Sequence, residues 1–266
     1  MKASQLIEYY RNNETVAAIA ALCNSKEPFR IHLKGLTGSS AAVVAASVFS
    51  NAGPLHLLVL PEKEEAAYFF NDLENLLGEQ DTPFHKKKVL FFPTTYRRPY
   101  EIEKTDNTNV LSRTEVMKRI GTREGGTLVV TYPEALAEKV VSKAYLKKNT
   151  LRLGLGENLS VDFVIDLLME YNFERVDFVV EPGQFSIRGG IVDVFSFTND
   201  RPYRIEFFGD DVESIRTFDP SNQLSIDKLD HVTITPNIQD RSLLEKRESF
   251  LTYINRNSVV WIRDFS

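Results

Sequence analysis

Residues 181–220 read EPGQFSIRGGIVDVFSFTNDRPYRIEFFGDDVESIRTFDP. Short runs of Ile, Val, Phe and Tyr are broken by Gly183, by Gly189-Gly190, by residues 199–202 and by Gly209-Asp210-Asp211. That punctuation predicts a small antiparallel sheet built of hairpins. Successive side chains of a strand point to opposite faces. Val192 and Val194 therefore share one face and Asp193 and Phe195 the other, while Arg204, Glu206 and Phe208 oppose Tyr203, Ile205 and Phe207. One face can seal a core. The other presents Arg and aromatic side chains, the types that anchor interfaces, although an ordinary solvated face fits the same pattern.

Upstream of this sheet, Ser160 is placed to cap a helix over 161–171 with Phe163, Leu167, Leu168 and Tyr171 on one stripe. A strand over 178–180 is expected to lead into the sheet. Before residue 145 the pattern changes to strands alternating with helices. Helical spacing runs over 4–23, with Asn13 able to cap a second helix. Strands are expected at 29–33, 55–60, 89–92 and 128–131, and helices at 41–49, 62–77, 109–120 and, opened by Pro133, 133–141. Such alternation implies a parallel sheet, so the expected fold class is α/β: a P-loop, helicase-like (RecA-like) core with an inserted small α+β domain carrying the antiparallel sheet. A charged helix at 241–255 and an apolar strand at 258–262 close the chain, and an ending on a strand suggests a fragment of a longer protein.

Between the expected strand at 29–33 and the apolar helix after it lies Lys34-Gly35-Leu36-Thr37-Gly38-Ser39-Ser40-Ala41-Ala42, the place where a phosphate-binding loop belongs. A working loop has the form G-x-x-x-x-G-K-[S/T], whose Lys reaches the β and γ phosphates and whose hydroxyl holds magnesium. Counted from Gly35, the last three positions are Ser40, Ala41 and Ala42. Cation and metal-holding hydroxyl are both missing. Farther on, Tyr96, Arg97 and Arg98 interleave aromatic and basic side chains that could stack on bases or grip phosphates, or simply pack on a domain edge.

The run Phe185, Arg188, Gly189, Asp193, Phe195, followed by the strand at 203–208 and by Asp210 to Ile215, resembles the second domain shared by the nucleotide-excision-repair protein UvrB and the transcription-repair coupling factors. The degenerate loop resembles the N-terminal UvrB-like module of the latter. The resemblance implies three parts: 1–145, a degenerate P-loop α/β domain; 146–232, an inserted UvrA-binding α+β domain; and 233–266, a truncated return to the core. It implies a module without catalysis that recruits UvrA in nucleotide excision repair. Arg175 and Arg188 would bind UvrA, with Phe195, Arg204 and Glu206 beside them. Where UvrB has a further Arg, this chain has Ser186. The loop before the helix at 109–120 is too short for UvrB's long DNA-probing hairpin, and Arg263 stands where an acidic metal ligand would be expected. Further implied partners are other domains of the full-length coupling factor, which mask the UvrA surface, and RNA polymerase and DNA through regions outside this chain.

Composition narrows the alternatives. Among 266 residues with a net charge of −5, no apolar run approaches the roughly 20 residues of a spanning helix. One Cys and four His exclude an intrachain disulfide and argue against zinc; a cytoplasmic protein without a cofactor is expected. The acidic balance does not suit a protein that coats nucleic acid. The rival functions are a nucleotide-binding helicase or ATPase half and a direct DNA-binding domain. Titration with a fluorescent ATP analogue in magnesium separates the first: no micromolar binding is expected, and saturable magnesium-dependent binding would restore the loop to function.

Overall fold

The computed structural model describes residues 2–25, 27–49, 53–95, 107–122, 126–197, 199–236 and 247–263. The chain divides into two compact units, one drawn from Met1–Thr94, Val116–Lys139 and Ser249–Ser266, the other from Thr95–Glu115 and Val140–Glu248. The architecture is mixed α/β, with a parallel sheet in the first unit and antiparallel pairing in the second.

In the first unit, Asn13 divides the N-terminal helical run into α1 (Ala3–Arg11) and α2 (Glu14–Cys23). Its side-chain oxygen accepts from the backbone N–H of Thr15 at 3.0 Å and of Val16 at 3.3 Å, supplying partners to donors that a helix start leaves open. Helix α3 (Ser40–Val48) is apolar on nearly every side and is buried from Ala42 to Val48. Next come β1 (His56–Val59), α4 (Lys63–Leu77), β2 (Val89–Phe91), α5 (Asn107–Thr122), whose residues through Glu115 count with the second unit, β3 (Leu128–Thr131) and α6 (Pro133–Ala137). With the C-terminal β14 (Val259–Ile262) the strands form a parallel sheet in the order β14-β1-β3-β2. The β-branched and leucine runs of β1 and β3 are almost wholly enclosed, as strands inside a parallel sheet must be.

Three expectations fail, the first being the helix over 133–141, which stops at Ala137 because Val140–Val141 pairs as a strand with Arg247–Glu248. Residues 29–33 form no strand. Arg30 and His32 interrupt the apolar residues and are exposed; Phe29 and Leu33 lean on the cluster of α2 and α3, but Ile31 stays 41% exposed. The half-apolar segment lies along helices instead of entering the sheet. The expected helix over 241–255 is also absent in its described part, where Phe250–Tyr253 makes one short 3-10 turn capped by Ser249. Phe250 stacks on Phe92 at 4.1 Å between ring centres, so burying that aromatic outweighs helical propensity.

The second unit holds β4 (Val140–Val141), α7 (Lys143–Lys148), β5 (Leu151–Gly154), α8 (Val161–Glu170), β6 (Glu174–Arg175), β7 (Gln184–Arg188), β8 (Ile191–Val194), β9 (Tyr203–Phe208), β10 (Asp211–Phe218), β11 (Ser225–Lys228), β12 (His231–Ile234) and β13 (Arg247–Glu248). Six strands make one sheet in the order β11-β10-β9-β8-β7-β6, antiparallel except for β6 on β7. Helix α8 is capped by the Ser160 hydroxyl oxygen, which accepts from the Phe163 N–H at 3.2 Å. The helix lays Val164 and Leu168 against Phe185, Val192, Val194, Ile205 and Ile215 of the sheet. Pairing of β12 with β5 and of β13 with β4 keeps residues through Glu248 with this unit. Ser249–Ser266 count with the first unit.

His56 on β1 is 1% exposed, accepts at Nδ1 from the Trp261 indole N–H at 3.2 Å, and faces Phe49 edge-on. Burial lowers its pKa from 6.5 to about 4. An unfolded chain takes up this proton below pH 6.5 and the folded one only near pH 4, so stability falls with pH across that window, by roughly 3 kcal/mol at its lower end. Urea midpoints followed by the fluorescence of Trp261, the only tryptophan, are expected to fall from pH 7 to pH 4 more steeply in the native protein than in His56→Phe.

Candidate functional site

Close turns at Gly189-Gly190 and Gly209-Asp210 set the strands that carry the site. The hairpin of β7 and β8 pairs Arg188 with Ile191 across Gly189-Gly190, and Gly189 has φ +61°, which glycine adopts without strain. A Cβ on Gly190 would stand 2.7 Å from the Phe207 carbonyl oxygen. The next pairings set Ser186 opposite Asp193, Asp193 opposite Arg204, and Arg204 opposite Arg216. These side chains lie on the face away from α8.

That face is half covered. Residues 178–180, expected as a strand, are not one. The segment folds over the sheet: Val179 is buried with Phe195 and Phe218, and Val176 packs against them. The Gln184 side chain holds it, its carboxamide oxygen accepting from the N–H groups of Val180 and Glu181, each at 3.0 Å. Sheet pairing begins earlier, at Glu174 and Arg175. The apolar run Phe178-Val179-Val180 reads equally as a strand or as a strap over a sheet, and Pro182-Gly183 just beyond it is the local sign of the second.

Beside this strap lies a groove of about 660 Å³ whose lining includes Arg175, Asp177, Phe178, Ser186 and Arg188. Arg175 is exposed on the edge strand. Phe178 is 62% exposed and the Arg188 guanidinium lies over its ring, 5.8 Å from the centre, within range of a cation–π attraction. Arg188 also forms an ion pair with Asp193, a carboxylate only 1% exposed. The Ser186 hydroxyl, buried at the floor, donates to the Asp177 carbonyl at 3.1 Å.

The remaining members of the expected set stand elsewhere on the same face. Phe195 is 6% exposed and belongs to the small cluster beneath the strap; its ring is not offered to solvent, whereas that of Phe178 beside the groove is. Arg204 is mostly enclosed, donating from Nε and Nη2 to Asp193 at 2.7 and 2.8 Å and from Nη1 to the Gln223 carbonyl at 3.2 Å. Its guanidinium covers Phe218 at 4.7 Å, and the hydrogen bond to Asp193 raises its pKa further. Glu206 is part-exposed and held below the usual carboxylate range by the Ser214 hydroxyl at 2.6 Å and by Arg216. Phe208 is 78% exposed at the tip of the next hairpin.

In the first unit, Gly35, Thr37 and Gly38 are exposed, with Gly35 at φ +79° and Gly38 at φ +55°. The Ser40 hydroxyl turns back to the Thr37 carbonyl at 2.7 Å, while Ala42 is fully buried in α3. Arg263 faces Glu65 at 3.6 Å. Tyr96, Arg97 and Arg98 lie outside the described residues. Among the described residues no cluster of His, Cys, Asp and Glu could hold a metal, and no helix is long and apolar enough to cross a membrane.

The groove thus sets two guanidinium groups and an exposed aromatic ring on the outer face of the sheet. Residues 151–239, which include it, match the family described as the UvrB interaction domain. The chain is 30% identical over 207 residues to the transcription-repair-coupling factor of Myxococcus xanthus and 29% identical over 205 residues to that of Bacillus subtilis, matches covering 78% and 77% of this chain. It is also 29% identical over 210 residues to the UvrABC system protein B of Thermosipho africanus. The matched region amounts to 17% of each coupling factor and 32% of the UvrABC protein. Residues 151–239 are thus similar to the UvrB interaction domain, and the chain is similar over most of its length to a part of the transcription-repair-coupling factors.

Gly190→Ala tests the geometry of the sheet. Its methyl group would meet backbone of β9 that cannot swing aside, so the variant is expected to lose about 2 kcal/mol or more in urea unfolding. An unchanged midpoint would mean that β8 and β9 do not approach as described.

Proposed function

We propose that the chain is a non-catalytic UvrB-like module of a transcription-repair coupling protein, and that its second unit recruits UvrA. The observation that carries this reading is the groove in which Arg175 and Arg188 stand with Phe178, inside the residues that match the UvrB interaction domain. Two guanidinium groups beside an exposed ring suit a surface of carboxylates or carbonyls bordered by apolar side chains. Glu206 and Arg204 belong to the same face, and Phe195 supports it from below.

On this reading the first unit is a RecA-like mount whose phosphate loop has lost its chemistry, since Ala41 and Ala42 stand where lysine and the magnesium-holding hydroxyl would be. Translocation on DNA and contact with RNA polymerase belong to other regions of the full-length protein, one of which masks the groove until a domain rearrangement opens it. The working place is the cytoplasm.

Pulldown of purified UvrA tests the assignment. Arg175 is exposed on a two-residue edge strand, so Arg175→Glu is expected to abolish capture with the melting temperature within a degree or so of the native value. Phe178→Ala is expected to weaken capture about tenfold at unchanged stability. Native-strength capture by both variants would place the surface elsewhere.

A further inference from the structure

Of the two arginines that share Asp193, only one is available to a partner. The Arg204 side chain is 16% exposed and the Arg188 side chain 41%. Arg204 binds the carboxylate with both Nε and Nη2, gives Nη1 to Gln223, and is packed on Phe218. Arg188 touches Oδ2 through Nη2, while its guanidinium also lines the groove over Phe178. The register puts Asp193 opposite both Ser186 and Arg204, at the centre of the sheet face.

We propose that Asp193 is the positioning residue of the groove: Arg204 fixes the plane of its carboxylate, and the carboxylate fixes Arg188 against Phe178 with its outer N–H edge turned to the partner. Arg204 then acts through Asp193 and not by touching UvrA. A free arginine surrenders its rotamer freedom when it binds; one already tethered surrenders less. A paired carboxylate beneath the cation also lets a partner's carboxylate compete for only part of the guanidinium fork, which makes the approach directional. The inference rests on the proposed function for the identity of the partner, and on the geometry alone for the tether.

A double-mutant cycle on the 266-residue chain tests it. UvrA affinity is measured for the native protein, Asp193→Asn, Arg188→Ala and the double variant. Asp193→Asn is expected to weaken binding about tenfold in the native background and not at all beside Arg188→Ala, because its effect passes through Arg188. Equal losses in both backgrounds overturn the proposal, since Asp193 would then only support the sheet or touch UvrA itself. Should Asp193→Asn fail to fold, Arg204→Lys takes its place in the cycle, with the same two readings. Rotation of the Arg188 guanidinium about Nε–Cζ, followed by NMR, gives a measure that needs no partner. Slow rotation in the native protein and fast rotation in Asp193→Asn is the expected result; equally fast rotation in both overturns the tether. If the native chain captures no UvrA while that contrast holds, the proposed partner falls and the tether stands.

Discussion

A carboxylate withdrawn from water in the middle of a sheet has to be answered by cations, and Asp193 is answered by two. Its desolvation is costly unless every lone pair has a partner, and the partners come from the strands on either side. The pairing therefore joins β7, β8 and β9 across the face opposite α8. It turns Arg204 inward onto Phe218 and leaves Arg188 at the rim of the groove. The chemistry of the outer face follows from where one negative charge was put.

The opposite face is governed by burial alone. Val192, Val194, Phe185 and Ile205 are fully enclosed beneath α8, a dry layer that does not tolerate a slip of one residue, because a slip would exchange it for the charged set. Register on the apolar side thus fixes which charges meet on the polar side. Glycine turns with left-handed backbone, at Gly189 and Gly209, hold that register at the hairpin ends.

Much of this could be read in advance, because strand parity and turn residues act over a few positions. The faces of β8 and β9, the caps at Asn13 and Ser160, and the strand at Leu128–Thr131 follow from neighbours in sequence. What escaped depended on distant partners. Residues 29–33 have the composition of a strand and are not in the sheet. The run Phe178-Val179-Val180 has strand propensity, yet Val179 is drawn onto Phe195 and Phe218 from across the sheet. That same fold-over exposes Phe178 and hides Phe195, so the aromatic exposed beside the groove is not the one that the motif marks. Nothing local distinguishes the two rings.

The borders of the six-stranded sheet carry a last consequence. On one side β6 has only two residues; on the other β11 is exposed throughout and ends in Asp227 and Lys228. A stub offers too few open backbone groups for a foreign strand to zip onto, and a charged margin repels one. Crowded copies of the domain are thereby hindered from joining edge to edge into ribbons, so the outer face with its groove can stay uncovered at high local density without the scaffold polymerising.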